Sequence, residues 1–413
     1  MFRSELKPIA APAALVLILA AAAALVSCET ESPADNPTRE TLPNGATLVR
    51  YSELPAIESV GPEVTEAQVD LRFGSVDGTD PNLTFGAIGG VQAARDGAIY
   101  VLDRKAAEVR VFDSGGGYLR TIVRRGEGPG EIMVANGIHL AGDTLLWVHD
   151  IRRWTIIGVD TAGEEIHRFV KLVMSYTPTW TGAFDNRGRY WHDITHSDDE
   201  PSAAFPNGLS SSTGRHYYKS YDLASGAIDS VYLGEVSVRS YAYSTPDHQL
   251  FLPLRFEASE LVAVNPSGGF WRANSASYRI ARVDENGDTV VVVEAEMLAQ
   301  PVTDEDRAAY VESYSENPPD LQREAAEVAA LMPDVKPMLA DIFVDDEGRL
   351  WVQRVTADDG PAFYDLFSDD GDHLVSVRLA FKADGPIWVQ HGNIYAWIVD
   401  ELNVPFVVRA SLS

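Results

Sequence analysis

Short alternating runs of apolar and polar residues, separated by turns rich in Asp, Asn and Gly, recur along the chain. In the clearest copy, Asp96-Gly97 leads into Ala98–Asp103, and Val109–Asp113 then runs to Gly115-Gly116-Gly117. The second has Gly142, Leu145–Asp150, Ile156–Asp160 and Gly163; the third has Asn186-Arg187-Gly188, Tyr190–Asp193, Tyr217–Asp222 and Gly226. The fourth has Gly268-Gly269, Phe270–Arg272, Tyr278–Asp284 and Asn286-Gly287. The fifth has Asp346–Gly348, Leu350–Val352, Phe363–Phe367 and Asp370-Gly371; the sixth has Gly392–Trp397 and Pro405–Arg409. Period-two alternation predicts strands, and Asn-Gly, Asp-Gly and Gly-Gly supply the positive φ of tight hairpin turns. The copies begin roughly 45 residues apart, or about 80 where an insertion intervenes, which is the spacing of propeller blades. A small twisted sheet has two apolar faces and cannot cover them alone; radial stacking buries both. The expected fold is therefore all-β, a six-bladed β-propeller. A linear β-array or two sandwiches is the competing arrangement.

The sixth copy ends at the C-terminus with little room for a last strand. The alternating run Val69-Asp70-Leu71-Arg72-Phe73 precedes the first copy and is expected to complete the last blade, closing the ring with both chain ends. The aromatic column Tyr100, Trp147, Trp191, Trp271, Trp351 and Tyr395 holds equivalent strand positions, which predicts inter-blade core and not a carbohydrate-stacking series. Residues 301–334 break the β pattern. Thr303 and Asp306 form a capping box, and Leu321, Ala325, Val328 and Leu331 share one helical face, so a short helical insertion is expected there, either as a lid or as a surface addition.

The N-terminus has a different character. Arg3 and Lys7 precede an almost wholly apolar run from Ile9 to Val26, interrupted by Pro12 and ending in small residues. It is slightly short for a membrane span and has the form of an export signal. Leu25-Val26-Ser27-Cys28 resembles a lipobox, where a cysteine is acylated and the chain is cut before it. Cys28 is the only cysteine, so no intramolecular disulfide competes for its thiol. Residues 1–27 are thus read as a lipoprotein signal peptide, 28–41 as a flexible polar tether, and 42–413 as the propeller. Glu29 follows the cysteine where an inner-membrane retention signal would have Asp. The expected address is the outer membrane, at its periplasmic or surface face, with lipid on Cys28 as the contact.

Asp and Glu number 61 against 33 Lys and Arg, a net charge of −28. Such a body is repelled by phosphate backbones, which makes nucleic acid a poor partner. A protein or small-molecule ligand remains open.

The stretch Leu119–Glu131, with its Gly126-Glu127-Gly128-Pro129-Gly130-Glu131 core, resembles the connector of the six-bladed propeller lipoproteins of Gram-negative bacteria, which are related to NHL-repeat and TolB-like propellers. Asp143–Asp150 resembles the strand that follows that connector, and Pro301-Val302-Thr303 and Gly348–Val352 also look like the family. The resemblance spans roughly residues 67–410 and implies fold more than function. The connector is not a phosphate loop: it lacks a following Lys-Ser/Thr, and Glu127 and Glu131 would repel phosphate.

Candidate chemistry comes from aligning the copies. Three residues after each aromatic stand Asp103, Asp150, Asn274 and Arg354, with Ile194 and Ile398 in the remaining copies; His149, His192 and Asp193 are neighbours. The resemblance implies that this strand end opens on a rim of the central channel. There Asp103, Asp150 and Asn274 would offer oxygen ligands to Ca²⁺, as in a metal-dependent propeller hydrolase, lactonase or lyase. Strand capping is the simpler role for them. His192 to Glu200 is rich in metal-ligand types but lies around an expected strand end, not on a helix face. No nucleophile elbow or Ser/His/Asp order is visible. The reading is a binding or scaffold module of unknown ligand, with the metal-dependent enzyme as alternative. Convergence of the Asp103, Asp150 and Asn274 side chains would favour the enzyme.

Overall fold

The computed structural model describes residues 37–76, 78–170, 184–197, 206–223, 225–245, 249–356 and 360–412. The signal segment, Cys28 and the tether up to residue 36 lie outside the described residues, as do Asp198 to Glu200.

The chain forms a six-bladed β-propeller. Blade 1 is Ile88–Ala93, Ile99–Asp103, Glu108–Phe112 and Tyr118–Arg125, in antiparallel order from the channel outwards. Blade 2 is Ala135–Ala141, Leu145–Asp150, Thr155–Asp160 and Glu165–Val170. Blade 3 is built on Arg189–Ser197, Gly208–Asp222 and Ile228–Ser244, with Phe184 bridging Tyr190 at the inner position. Blade 4 is Glu260–Val264, Phe270–Asn274, Arg279–Val283 and Thr289–Ala295; blade 5 is Leu339–Val344, Leu350–Arg354, Phe363–Phe367 and His373–Leu379. Blade 6 takes Trp388–Gln390, Asn393–Val399 and Pro405–Ser411 from the C-terminal end.

Burial explains the pattern of each strand. Inner strands lie between neighbouring blades on both faces, so Ile99–Asp103 is buried at every position. Outer strands have a solvated side, and in Tyr118–Arg125 only Ile122 and Val123 are buried. The aromatic column is core: Trp271 and Trp351 are fully buried, and Tyr100, Trp147, Trp191 and Tyr395 nearly so. Truncating one such side chain to Ala would cost about 3–5 kcal/mol. Glycine is required where backbones cross the turns. Gly269 has φ +74°, and a Cβ there would sit 2.1 Å from the Val283 carbonyl oxygen.

The N-terminal part of the domain is more structured than its composition predicts. Val64–Phe73 closes the ring as the outer strand of blade 6, with Phe73 opposite Val407 and Gln68 opposite Ser411. It starts before the expected Val69, and its first residues run parallel to the outer strand of blade 5, Val64 opposite Ser376 and Ala67 opposite Leu379. Upstream, Thr47–Tyr51 runs parallel to the outer strand of blade 4, and Thr38–Thr41 pairs back on it. Residues 38–41 are therefore strand, which corrects the tether boundary. Their polar sequence gives no strand signal; Thr47–Tyr51, laid on the edge of blade 4, supplies the partner.

The insertion contains α1 (Asp304–Glu312) and α2 (Pro319–Ala330). Thr303 and Asp306 make the reciprocal capping box, and Lys336 Nζ meets Asp306 at 2.6 Å. The insertion has its docking partner within the same chain. It packs on an extension of blade 3, where the long strands Gly208–Asp222 and Ile228–Ser244 project with Gln249–Leu252 alongside. Tyr241, Leu252, Tyr310, Leu321, Ala325 and Val328 form this separate core.

Candidate functional site

The aligned rim residues do not converge. Asp103, Asp150 and Asn274 are each spent on a turn of their own blade, and Arg354 on an ion pair. Asp103 is buried and accepts from the backbone N–H groups of Gly86 (2.9 Å), Ala87 (3.3 Å), Lys105 (3.1 Å) and Ala106 (3.1 Å). Asp150 does the same for Met133 (2.8 Å), Val134 (3.2 Å) and Arg152 (3.1 Å). Asn274 accepts from Ala276 N–H at 3.1 Å and donates to Glu260 at 2.8 Å. Arg354 lies against Asp365 with N···O distances of 2.6 and 2.8 Å. Among the described residues no group of three or more His, Cys, Asp or Glu is placed to hold a metal ion. The Ca²⁺ rim thus lacks its geometry, because strand-end carboxylates are consumed by unpaired backbone donors.

The histidines lie at the junction of blades 2 and 3. His149 is buried, and desolvation depresses its pKa to about 4; Asp150 opposes the shift and His192 adds to it. Burial also lowers the pKa of His192. Asp193 is held below the ordinary carboxylate range by His216, whose Nε2 lies 3.7 Å away. The strand carrying these residues runs on to Ser197, pairing opposite Gly214, so His196 stands at its end, as expected, while His192 lies within it. His373, Ser376 and Asp365 also meet: His373 Nε2 lies 3.0 Å from Ser376 Oγ, which donates to Asp365 at 2.6 Å. Ser376 is fully buried and its proton is committed to the carboxylate, so it has no access as a nucleophile.

The connector after blade 1 is structural. Glu131 accepts from Gly128 N–H at 2.7 Å, and Glu165 of blade 2 accepts from Gly130 N–H at 2.6 Å. Arg125 donates to the carbonyls of Lys105 and Ala106 and so does not neutralise the connector's acids.

A channel lies between the first strands of the blades, with a volume of about 960 Å³. Gln92, His139, Phe184, Asp341, Phe343 and Trp388 are among its lining residues. Gln390 of blade 6 donates to Gln92 Oε1 at 3.0 Å, and Gln92 Oε1 also accepts from Leu140 N–H of blade 2 at 3.1 Å. This relay ties three blades around the lumen. Gln92 Nε2 and Trp388 Nε1 are buried without a hydrogen-bond partner among the described residues. His139 stacks on Phe184 at 4.8 Å, and burial holds its pKa at about 4. Asp341 stands in the first strand of blade 5, opposite Gln353. It is exposed within the channel, yet enclosure by protein raises its pKa to about 6. Sequence reasoning passed over these residues because the repeat was aligned on the second strand of each blade. One signal was available: Asp341 is an acid in the middle of the otherwise apolar stretch Leu339–Val344.

The ring of antiparallel blades around a lined channel places the chain in the class of six-bladed β-propellers. A family profile described as a 6-bladed beta-propeller matches residues 68–153, which cover most of the closing strand, blade 1, the connector and the first two strands of blade 2. No curated protein sequence matches the chain. Among solved structures, a candidate exported protein from Bacteroides fragilis is 11% identical, with 85% of this chain and 99% of that one covered at a TM-score of 0.45. A DUF4221-family member from Bacteroides vulgatus is 10% identical, with 86% and 99% covered and a TM-score of 0.45. A calcium-binding regucalcin from Agrobacterium tumefaciens is 10% identical, with 85% and 97% covered and a TM-score of 0.37.

Proposed function

We propose that this propeller is a binding module that takes a small molecule in its central channel and is held to a membrane, on the extracytoplasmic side, by lipid on Cys28. The channel carries the reading. Its volume of about 960 Å³ suits an organic ligand, and it combines apolar walls with a few polar groups. Two of those groups, Gln92 Nε2 and Trp388 Nε1, have no hydrogen-bond partner among the described residues. A buried donor without a partner costs about 1–3 kcal/mol, and a ligand that brings an acceptor within reach would offset that cost. The metal-dependent hydrolase has less support, since Asp103, Asp150 and Asn274 are each committed to a separate turn.

Thermal unfolding of the full chain in detergent, against cationic, anionic and neutral small molecules and Ca²⁺, tests this reading. A channel ligand raises the midpoint by mass action. The shift must vanish in Ala340→Trp, which fills the lumen from an exposed lining position. Shifts that survive this substitution place binding elsewhere and defeat the proposal. The anchor is tested separately: palmitate labelling of the wild type, lost in Cys28→Ser, is the expected result.

A further inference from the structure

We infer that the channel ligand is an organic cation, an alkylammonium group seated at Asp341; this rests on the channel-binding reading above. Among the described first strands, Asp341 is the acid placed away from a strand end; Glu260 opens its strand and is tied to Arg272 and Asn274. The Asp341 carboxylate accepts one hydrogen bond, from the neighbouring Ile342 N–H at 2.8 Å, and forms no ion pair among the described residues. Most carboxylates in this protein lean on an arginine or cap a turn. This one does neither and remains accessible in the lumen.

The surroundings define the ligand further. Arg354 lines the same channel, but its guanidinium is spent on Asp365 and the Pro55 carbonyl. Lys382 and His139 also line it, and neither pairs with Asp341. Tyr364 shares the environment of Asp341: burial raises its pKa, and the carboxylate raises it further. Phe343 lies two residues along the strand with its ring 6.1 Å from that of Tyr364, and Trp388 contributes from blade 6. Aromatic rings beside a lone carboxylate suit N-alkylated cations, which shed water more readily than metal ions and gain from ring faces. Among the described residues no group of three or more His, Cys, Asp or Glu is placed around Asp341 to hold a metal ion, so it does not make a calcium site. Enclosure holds the carboxylate pKa at about 6, which leaves it ionised at neutral pH but at a desolvation cost. A bound cation would remove that cost.

The test is calorimetric titration of the full chain at pH 7.5 with choline, with its neutral isostere 3,3-dimethylbutan-1-ol, and with pivalate. Choline should bind about tenfold or more tightly than the alcohol, as a partly desolvated charge pair requires. Asp341→Asn should abolish that preference while leaving the alcohol's affinity within about twofold, and Asp341→Glu should retain it. Choline affinity should also fall as the pH drops through about 6, and Asp341→Asn should lose that dependence. If the alcohol or pivalate binds in an Ala340→Trp-sensitive manner and choline does not, the channel reading stands and the cation inference fails. Equal choline affinity in wild type and Asp341→Asn overturns it as well. If no probe gives Ala340→Trp-sensitive binding, both fall.

Discussion

Blades 1 and 5 carry an ion pair at the same two strand positions with the charges exchanged. Asp103 ends the second strand of blade 1, and Arg110 stands opposite Val101; in blade 5 Arg354 ends the strand, and Asp365 stands opposite Val352. Asp365 is fully buried and also accepts from Tyr278 and Ser376, each at 2.6 Å. Removing one partner of such a pair leaves the other charge buried. Asp365→Asn should therefore lower stability by about 3–5 kcal/mol, against about 1 kcal/mol for Ser376→Ala, read from urea midpoints. His149 sets a pH dependence. Its folded pKa of about 4 lies below the unfolded value, so unfolding takes up a proton in acid. Its contribution is full above about pH 6.5 and is lost as pH falls towards 4, on the order of 3 kcal/mol in all. A urea series between pH 7 and 4 should show a shallower loss for His149→Gln than for wild type. The sequence placed Asp103, Asp150, Asn274 and Arg354 correctly in one column. It could not show that Asp103, Asp150 and Asn274 would be satisfied at their turns, because backbone donors there leave no mark on composition, or that Arg354 would pair with Asp365.

At the scale of elements, regularity and its interruptions have different sources. The paired second and third strands were legible because tight hairpins and buried aromatics repeat. The strand Thr38–Thr41 was not, since Thr-Arg-Glu-Thr acquires strand form only from Thr47–Tyr51 and, through it, the edge of blade 4. The helical insertion was legible from its capping box and the Leu321, Ala325, Val328 stripe, but its docking site was not. That site is a blade extension of the same chain, with no periodic signal. This lobe has its own core, distinct from the inter-blade clusters. A charge at its centre should therefore undock it without opening the ring. Ala325 is fully buried, and Ala325→Glu should remove hydrogen-exchange protection from α2 and the Gln249–Leu252 strand. The inner strands of blades 1, 5 and 6 should keep theirs. Loss of protection throughout would show that the lobe and ring fold as one unit.

At the scale of the whole molecule, the N-terminal segment sews the ring together. Thr47–Tyr51 lies on blade 4, residues 64–67 lie on blade 5, and residues 68–73 complete blade 6 before blade 1 begins. A propeller without its closing strand leaves an open blade edge and exposes the core between blades 6 and 1, where Phe73 packs with Phe85 and Phe112. The two segments should differ in their effect. Removing residues 1–52 strips the added strands Thr38–Thr41 and Thr47–Tyr51 from blade 4 but leaves the blade's own four strands and the ring closure intact. Removing residues 1–75 takes away the closure itself. The first truncation should unfold in one cooperative transition at a lowered midpoint. The second should lose cooperativity, because blade 6 would retain only its three C-terminal strands. Circular dichroism and denaturant titration of both would decide this, and a cooperative transition in the longer truncation would show that blade stacking alone holds the ring.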